Sequence, residues 1–438
     1  MLKTIRKAFQ IDDIRRRIMY TFLMLVVIRI GSQMPTPGIN SAYVQSFFES
    51  QTGDAFNFFS AFTGGSLERM TIFALSITPY ITSSIIMQLL TIAIPKLEDM
   101  QKEGEDGRKR IAAITRYVTV VLAVVESTAL SIGMGRSGML EEYNFVNVVM
   151  VVLTLTAGSA FLMWVGERIT EKGIGNGISI VLLINIISRV PSDFATLYTK
   201  FMKGKSLAVA CLAAVIIIAI LLVIFVFVVL LQSGQRKIAV QYSQKIQGRK
   251  SVGGQSTFIP LKVNTAGVVP VIFASSLMQF PVVIAGFLGK GNGTGIGSEI
   301  LRGLSSNNWC NPQNIQYSWG LIVYIALTIL FAYFYTSITF NPLEIANNMK
   351  KSGGFIPGIR PGKPTVEYLT KILNYIIFIG AVGLVIVQVI PFIFNGMLGA
   401  NVSFLGTSLI IIIGVILETL KQVESQMLVR NYKGFLNS

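Results

Sequence analysis

Histidine is absent from this sequence of 438 residues, and cysteine occurs only twice, as Cys211 and Cys310. Without histidine the chain has no Ser-His-Asp triad, no histidine metal ligand and no histidine proton relay. Two cysteines are too few for a disulfide framework or a thiolate metal site. We therefore expect no catalytic residues, no metal site and no cofactor.

Charged residues are also scarce: they make up 13% of the chain, whereas apolar residues make up 52%. Soluble domains usually carry about 25% charged residues. The mean hydropathy of +0.63 is correspondingly high. This composition disfavours a soluble enzyme, a disordered protein and a nucleic-acid-binding domain, and it indicates a membrane protein.

Ten runs are apolar enough for membrane-spanning helices, which need about 20 residues each. The runs are 18–34, 70–92, 117–135, 148–165, 174–190, 207–231, 265–288, 317–340, 371–394 and 404–420. The fold class that they predict is an all-α polytopic membrane protein. No phosphate-binding motif accompanies the runs, so we expect another protein to supply any energy that is needed.

Most basic residues fall on one side of the membrane if the N-terminus is placed in the cytoplasm. The cytoplasmic segments are then 1–17, 93–116, 166–173, 232–264, 341–371 and the tail from 418. They hold 28 of the 37 basic and 13 of the 21 acidic residues, a net charge of +15, and the rest of the chain carries +1. This asymmetry follows the positive-inside rule. It predicts that both ends are cytoplasmic, with an amphipathic N-terminal segment 1–17 and a tail 421–438.

Two of these basic segments, 232–264 and 341–371, are long. Their charge has two interpretations that the composition leaves equally open. It is either a topology signal that also attracts anionic lipid, or it marks docking surfaces for a partner.

Residues 55–69 are aromatic and half apolar, too short to span a membrane, and interrupted by Gly64 and Gly65. One interpretation is an interfacial loop that rests on lipid headgroups. The other is a short re-entrant segment, which is tolerated at membrane depth only where protein or a water-filled cavity covers it.

Several distinctive strings follow one another along the chain. They are 34–38 (MPTPG), 58–65 (FFSAFTGG), 72–81 (IFALSITPYI), 102–108 (KEGEDGR), 166–179 (GERITEKGIGNGIS), 260–264 (PLKVN), 273–276 (FASS), 340–342 (FNP) and 350–362 (KKSGGFIPGIRPG). In this order they resemble the SecY family, the channel subunit of the protein-secretion translocon. The resemblance covers nearly the whole chain.

The resemblance implies ten transmembrane helices in two inverted five-helix halves, 18–190 and 207–420, around a central pore. It also implies a re-entrant plug helix over 55–69, for which we single out Phe56, Phe59, Gly64, Gly65 and Arg69. The matched positions of the pore ring are Ile77, Ile81, Leu182, Ile272 and Ile411. A narrow aliphatic ring offers water no hydrogen bonds and can therefore block ions.

By the same comparison, a lateral gate lies between the second and seventh spans, with Gln88, Asn264 and Ser275 as polar residues of the seam. The two basic loops are then docking sites for the SecA motor ATPase and the ribosome, with Arg249, Lys250 and Arg360 as contact residues. The implied partners are SecE and SecG in a heterotrimer, signal peptides, unfolded preproteins and membrane lipid.

One position departs from the family pattern. Leu343 stands after Asn341 and Pro342, where a basic residue is expected, and a contact there is in doubt. The function implied is a protein-conducting channel of the bacterial plasma membrane that translocates preproteins and releases transmembrane segments laterally. One alternative is a ten-span secondary transporter, but few ionisable residues lie inside the predicted spans. The other is an intramembrane protease, which the missing histidine disfavours.

Overall fold

The computed structural model describes residues 9–41, 43–44, 46, 63–242, 245–247, 250–252, 256–287, 295–305, 308–312, 315–398 and 406–436. Among the predicted site residues, Phe56, Phe59 and Arg249 lie outside this part of the chain. The backbone of Lys250 is described, but its side chain is not.

The described part of the chain is mainly helical. Before the first strand the helices are α1 (Asp12–Gly31), α2 (Thr78–Ala93), α3 (Pro95–Lys102), α4 (Glu105–Arg136), α5 (Phe145–Lys172), α6 (Gly177–Phe201) and α7 (Leu207–Ser233). After the strands they are α8 (Val269–Phe287), α9 (Ile296–Leu304), α10 (Trp319–Thr339), α11 (Pro342–Lys351), α12 (Lys363–Leu398) and α13 (Thr407–Leu436).

Each of the ten predicted apolar runs coincides with one of these helices. Six stretches are long and apolar enough by themselves to cross a membrane, namely α4, α5, α6, α7, the region of α10 and most of α12. A seventh span results if α2 and α3, which meet at a bend of 101°, are counted as one. Length and composition thus confirm a multi-span helical membrane protein, whereas they do not by themselves account for all ten predicted spans.

The second predicted run, 70–92, becomes helical later than its hydropathy indicates. Helix α2 begins at Thr78, and Ile77 is its N-cap residue. Ser76 has a φ of 53°, a left-handed conformation that a helix cannot include. Pro79 lies in the first helical turn, where a missing N–H costs nothing.

The last helix continues past the predicted span. The predicted span ends at 420, and α13 runs on as one helix through the described part of the tail to Leu436. Similarly, the last part of the predicted loop 341–371 is the first part of α12.

The long helices pack as two groups. In the first, α2 and α5 pack on α4, and α1 and α6 pack on α5; in the second, α10 packs on α8 and α12, and α7 packs on α13 and α12. The groups meet mainly through α6 and α13, and to a lesser extent through α4 and α8. The contact between the groups is therefore extensive on one side of the molecule and slight on the other.

The two long basic segments are joined by one small three-stranded sheet. In it strand β1 (Gln235–Tyr242) pairs antiparallel with β4 (Ser256–Lys262) and with β5 (Gly354–Phe355), whereas β2 (Lys245–Gln247) and β3 (Lys250–Val252) form a separate two-stranded sheet. Ile238 and Val240 of β1 are buried on one face, against Met349 of α11 and Leu369 of α12. Buried and exposed residues alternate from Ile238 to Val240 of β1, the pattern of a strand with one buried face.

Candidate functional site

A cavity of about 670 Å³ lies between the two groups of helices. Its walls come from α6, from the segment between β4 and α8, and from α13. Polar lining residues include Asn176, Ser179, Gln232, Asn264 and Gln422, and charged ones are Lys262, Glu418 and Lys421. The chamber thus has polar and charged side chains as well as aliphatic ones in its wall, and it lies on the sheet side of the helices, next to the end of β4.

Two residues of the predicted pore ring, Leu182 and Ile411, line this cavity. Both are buried members of an apolar cluster that also contains Ile77, and Ile81 packs against that cluster. We call these four residues the collar. Three separate parts of the chain supply it: the start of α2, the second turn of α6 and the first turns of α13.

The fifth predicted ring residue, Ile272, lies elsewhere. It is half-buried in the first turn of α8 and does not belong to the cluster of the collar. Val268, which precedes α8, packs against that cluster and also lines the cavity. The structure therefore brings together four of the five predicted residues.

The described end of the predicted plug, from Thr63 onward, lies against α6. Gly64 and Gly65 have φ values of +66° and +80°, which favour glycine. A Cβ on Gly64 would lie 3.0 Å from the backbone of Asn185, so this glycine also permits close approach to the helix. Arg69 is exposed and donates a hydrogen bond of 2.8 Å to Oε1 of Gln33.

Two polar contacts fix this segment on α6. Arg189 forms an ion pair of 2.6 Å with Glu68, and the side chains are 14% and 32% exposed. One helical turn earlier, Nδ2 of Asn185 donates a hydrogen bond of 3.0 Å to the buried hydroxyl of Ser76. This second bond accompanies the left-handed backbone at Ser76 and holds the start of α2 on α6.

The predicted gate residues occupy three different environments. Gln88 is exposed on α2, and in the described part of the chain no hydrogen bond joins it to Asn264 or Ser275. Asn264 is buried at the cavity wall, and its Nδ2 has no hydrogen-bond partner among the described residues. The structure does not bring these three side chains together.

Ser275 points away from α2. Its hydroxyl lies 3.2 Å from the hydroxyl of Tyr324 in α10, and Tyr324 donates a hydrogen bond to Oε1 of Gln388 in α12. All three residues are buried. A polar network thus joins α8 to its own group of helices.

Of the predicted docking residues, Arg360 can be placed. It is exposed in the turn between β5 and α12, and its backbone carbonyl accepts a hydrogen bond of 2.9 Å from the Thr365 hydroxyl. Leu343 is 57% exposed at the start of α11, where its N–H is capped by Oδ1 of Asn341. An exposed leucine offers an apolar contact, not a charge, at this position.

Sequence reasoning missed the polar partners Glu68, Arg189, Tyr324 and Gln388. For the ion pair a signal existed, since Arg189 ends an apolar run and Glu68 stands in an otherwise half-apolar segment. For Tyr324 and Gln388 no pattern distinguished them from other polar residues within long helices. Within the described residues, no group of three acidic or cysteine side chains is placed to hold a metal ion.

Comparisons with known proteins agree with this architecture. A model of the SecY family matches residues 71–420. The chain is 41% identical to the protein translocase subunit SecY of Corynebacterium glutamicum over 99% of this chain and 100% of that protein. It is also 41% identical to the subunit of the same name from Bacillus subtilis, with full coverage of both.

Solved structures share the fold at low sequence identity. A protein-conducting channel is similar with a TM-score of 0.62 and 17% identity, covering 94% of this chain and 92% of that one. Sec61 in the canine ribosome-channel complex from the endoplasmic reticulum is similar with a TM-score of 0.57 and 16% identity, covering 94% of this chain and 92% of that one. The family match and the full-length relatives lead to one conclusion: the chain belongs to the SecY family of protein translocase subunits.

Proposed function

We propose that this chain forms a gated channel through which unfolded preproteins cross a bacterial plasma membrane. The observation that carries the proposal is that two collar residues, Leu182 and Ile411, line a cavity between the two groups of helices and pack in one apolar cluster with Ile77. In this proposal a polypeptide that enters the chamber meets the aliphatic collar. The chain itself acts as a passive conduit and not as an enzyme.

The collar supplies the ion barrier in this proposal. Side chains such as Ile77, Leu182 and Ile411 give water no hydrogen bonds, so a narrow opening between them dewets and excludes ions. Aliphatic side chains also change rotamers readily on a short timescale, so they can part around a threading chain.

The two groups of helices support the finer arrangement, in which ten spans form two inverted halves. Five of the predicted spans fall in each group, so the halves run in opposite directions across the membrane. Because α6 and α13 hold the groups together on one side, opening takes place on the other side, between α2 and α8. We propose this seam as the lateral gate.

The seam would release apolar segments by partition. Burial in lipid yields about 25 cal/mol per Å² of apolar surface, so a transmembrane segment gains several kcal/mol by leaving the aqueous pore sideways. Signal peptides and transmembrane segments are thus selected by hydrophobicity. Asn264, buried at the wall without a partner, is a candidate for a contact with the backbone of a passing chain.

The basic sheet is the proposed docking surface for SecA and the ribosome. Arg236, Lys237, Lys262, Arg360 and Lys363 belong to the sheet or to the turn beside it. We place this side and both termini in the cytoplasm, in agreement with the positive-inside rule. SecE and SecG are the proposed membrane partners in a heterotrimer.

Cross-linking of a halted secretory precursor tests the route. Cys211 and Cys310 are first replaced by serine, and single cysteines are then introduced by Ile411→Cys in the collar and, as the matched control, Ile216→Cys on α7. Ile216 is 48% exposed on the outside of the helices. We expect the halted precursor to cross-link to the collar position and not to the control. Equal labelling of the two positions, or labelling of Ile216→Cys alone, would overturn the proposal.

A further inference from the structure

Helix α9 lies at the end of the molecule opposite the sheet. Helix α8 begins close after β4, and α10 ends close before α11 and β5, so both have one end at the sheet. The segment that joins their other ends contains α9. This helix contacts both α8 and α10.

The side chains of α9 divide into an apolar and a charged side. Ile296 and Ile300, one turn apart, are 83% and 48% exposed. On another side of the helix Glu299 and Arg302 form an ion pair of 4.0 Å, and Glu299 accepts a hydrogen bond of 3.2 Å from the Tyr317 hydroxyl. A short helix with exposed isoleucines on one side and charges on another is typical of a membrane interface.

Close contacts fix α9 at the first turn of α10. A Cβ on Gly303 would lie 2.2 Å from the ring of Trp319, and one on Gly320 would lie 1.8 Å from the Gly303 carbonyl oxygen. That same oxygen accepts a hydrogen bond of 2.8 Å from Nε1 of Trp309. The depth of α9 is therefore set by the end of a membrane-spanning helix.

The exposed apolar surface of α9 continues along α10. Trp319, which packs on Gly303, is 39% exposed. Further along α10, the side chains of Ile322, Leu330 and Phe334 are 70%, 58% and 45% exposed, and their spacing places them on one face of the helix. Lipid covers such a face in a membrane-spanning helix. Tryptophan is enriched where such a face reaches the headgroups, and Trp319 is the first residue of α10.

We infer that α9 is an interfacial anchor that lies in the lipid leaflet on the side opposite the sheet. Ile296 and Ile300 insert at the boundary between acyl chains and headgroups, and Glu299 and Arg302 stay among the headgroups. The occupant of this surface is lipid, because the surface is continuous with the lipid-facing side of α10. Since α9 contacts α8, the anchor also holds that end of α8 at the membrane surface. The inference stands independently of the channel proposal.

Site-specific fluorescence quenching tests the anchor in the full protein complex reconstituted in vesicles. Cysteines introduced by Ile300→Cys and, as the matched control, Arg302→Cys carry an environment-sensitive dye in the variant that lacks Cys211 and Cys310. Nitroxide attached near the headgroup end of the acyl chains should quench the dye at 300 several-fold more than the dye at 302. Iodide in the water should give the reverse order.

Two outcomes would overturn the inference. If both positions are quenched by iodide and neither by lipid, α9 lies in water. If position 300 is shielded from iodide and lipid alike, a protein subunit or a second copy of the chain covers it. A parallel measurement avoids all cysteine changes: in Trp164→Phe, brominated lipids should quench the exposed Trp319, and unchanged emission would count against the anchor.

Discussion

At the scale of single residues, the site depends on a few side chains that each have one clear physical task. In the proposed function the collar residues exclude water, and the Glu68–Arg189 pair attaches the described end of the proposed plug to α6. Both tasks can be removed by substitutions that change little else.

Breaking the ion pair should loosen the proposed plug. In Glu68→Gln the Arg189 guanidinium keeps its place but loses its charged partner, at a cost of about 1–3 kcal/mol for a pair of intermediate burial. We expect a higher resting ion conductance in planar bilayers. Glu171→Gln removes an exposed pair, with Arg168, and should leave conductance unchanged. Equal conductance in Glu68→Gln and the parent protein would contradict the role of the pair.

Polar substitution in the collar should also raise conductance. Ile411→Ser removes an aliphatic group whose burial is worth about 1.5–3 kcal/mol, so the closed state should lose roughly tenfold in population relative to open states. Ile81→Gly should act in the same direction. Ile416→Ser changes an exposed residue of the same helix and is the matched control. A leak as low as that of the control would show that the collar is not the barrier.

At the scale of elements, α8 is held to α10 and α12 by the network of Ser275, Tyr324 and Gln388. Because this helix is half of the proposed seam, its attachment to its own group decides how the seam opens. The network favours movement of α8 together with α10 rather than by itself.

Removing the central hydroxyl should destabilise that attachment. Tyr324→Phe leaves the buried Gln388 amide without its donor, and an unsatisfied buried polar group costs about 1–3 kcal/mol. We expect a lower thermal unfolding midpoint of the purified protein. Tyr333→Phe, on the same helix, loses only an exposed bond of 3.3 Å to the Asn374 carbonyl and should change the midpoint little. If the two variants unfold at the same temperature, the network does not hold α8.

At the scale of the whole molecule, the two ends of the protein differ. The sheet lies at one end, next to the cavity between the two helix groups. The sheet borders the cavity at the end of β4, where Lys262 lines it, whereas β5 pairs with the far end of β1. In the proposed function, docking and entry therefore share this end of the molecule.

Charge reversal on that surface should uncouple the motor from the channel. Arg360→Glu changes an exposed turn residue, so the protein should still fold. Export driven by SecA should fall at least about tenfold, in line with the loss of one charge-assisted contact. Lys203→Glu, on the opposite side of the molecule, should leave export intact. Normal export by Arg360→Glu in an assay with purified components would exclude this role.

The sequence predicted the helices well because lipid imposes a simple rule, a long apolar run for every span. All ten runs coincide with helices, and the direction of the charge asymmetry is visible in the letters alone. The resemblance to one family selected Ile77, Ile81, Leu182 and Ile411, which periodicity cannot distinguish from ordinary packing residues.

Only the tertiary structure decided which residues meet. The sheet pairs segments more than a hundred positions apart, Arg189 forms an ion pair with Glu68 although four helices lie between them in the chain, and Ser275 contacts Tyr324 instead of Gln88. Hydropathy is a property of local sequence, whereas hydrogen bonds and ion pairs depend on which surfaces come into contact. The sequence alone therefore determined that this chain is a bundle of membrane helices, and the packing of those helices decided which residues form the collar cluster and which contacts hold the two groups together.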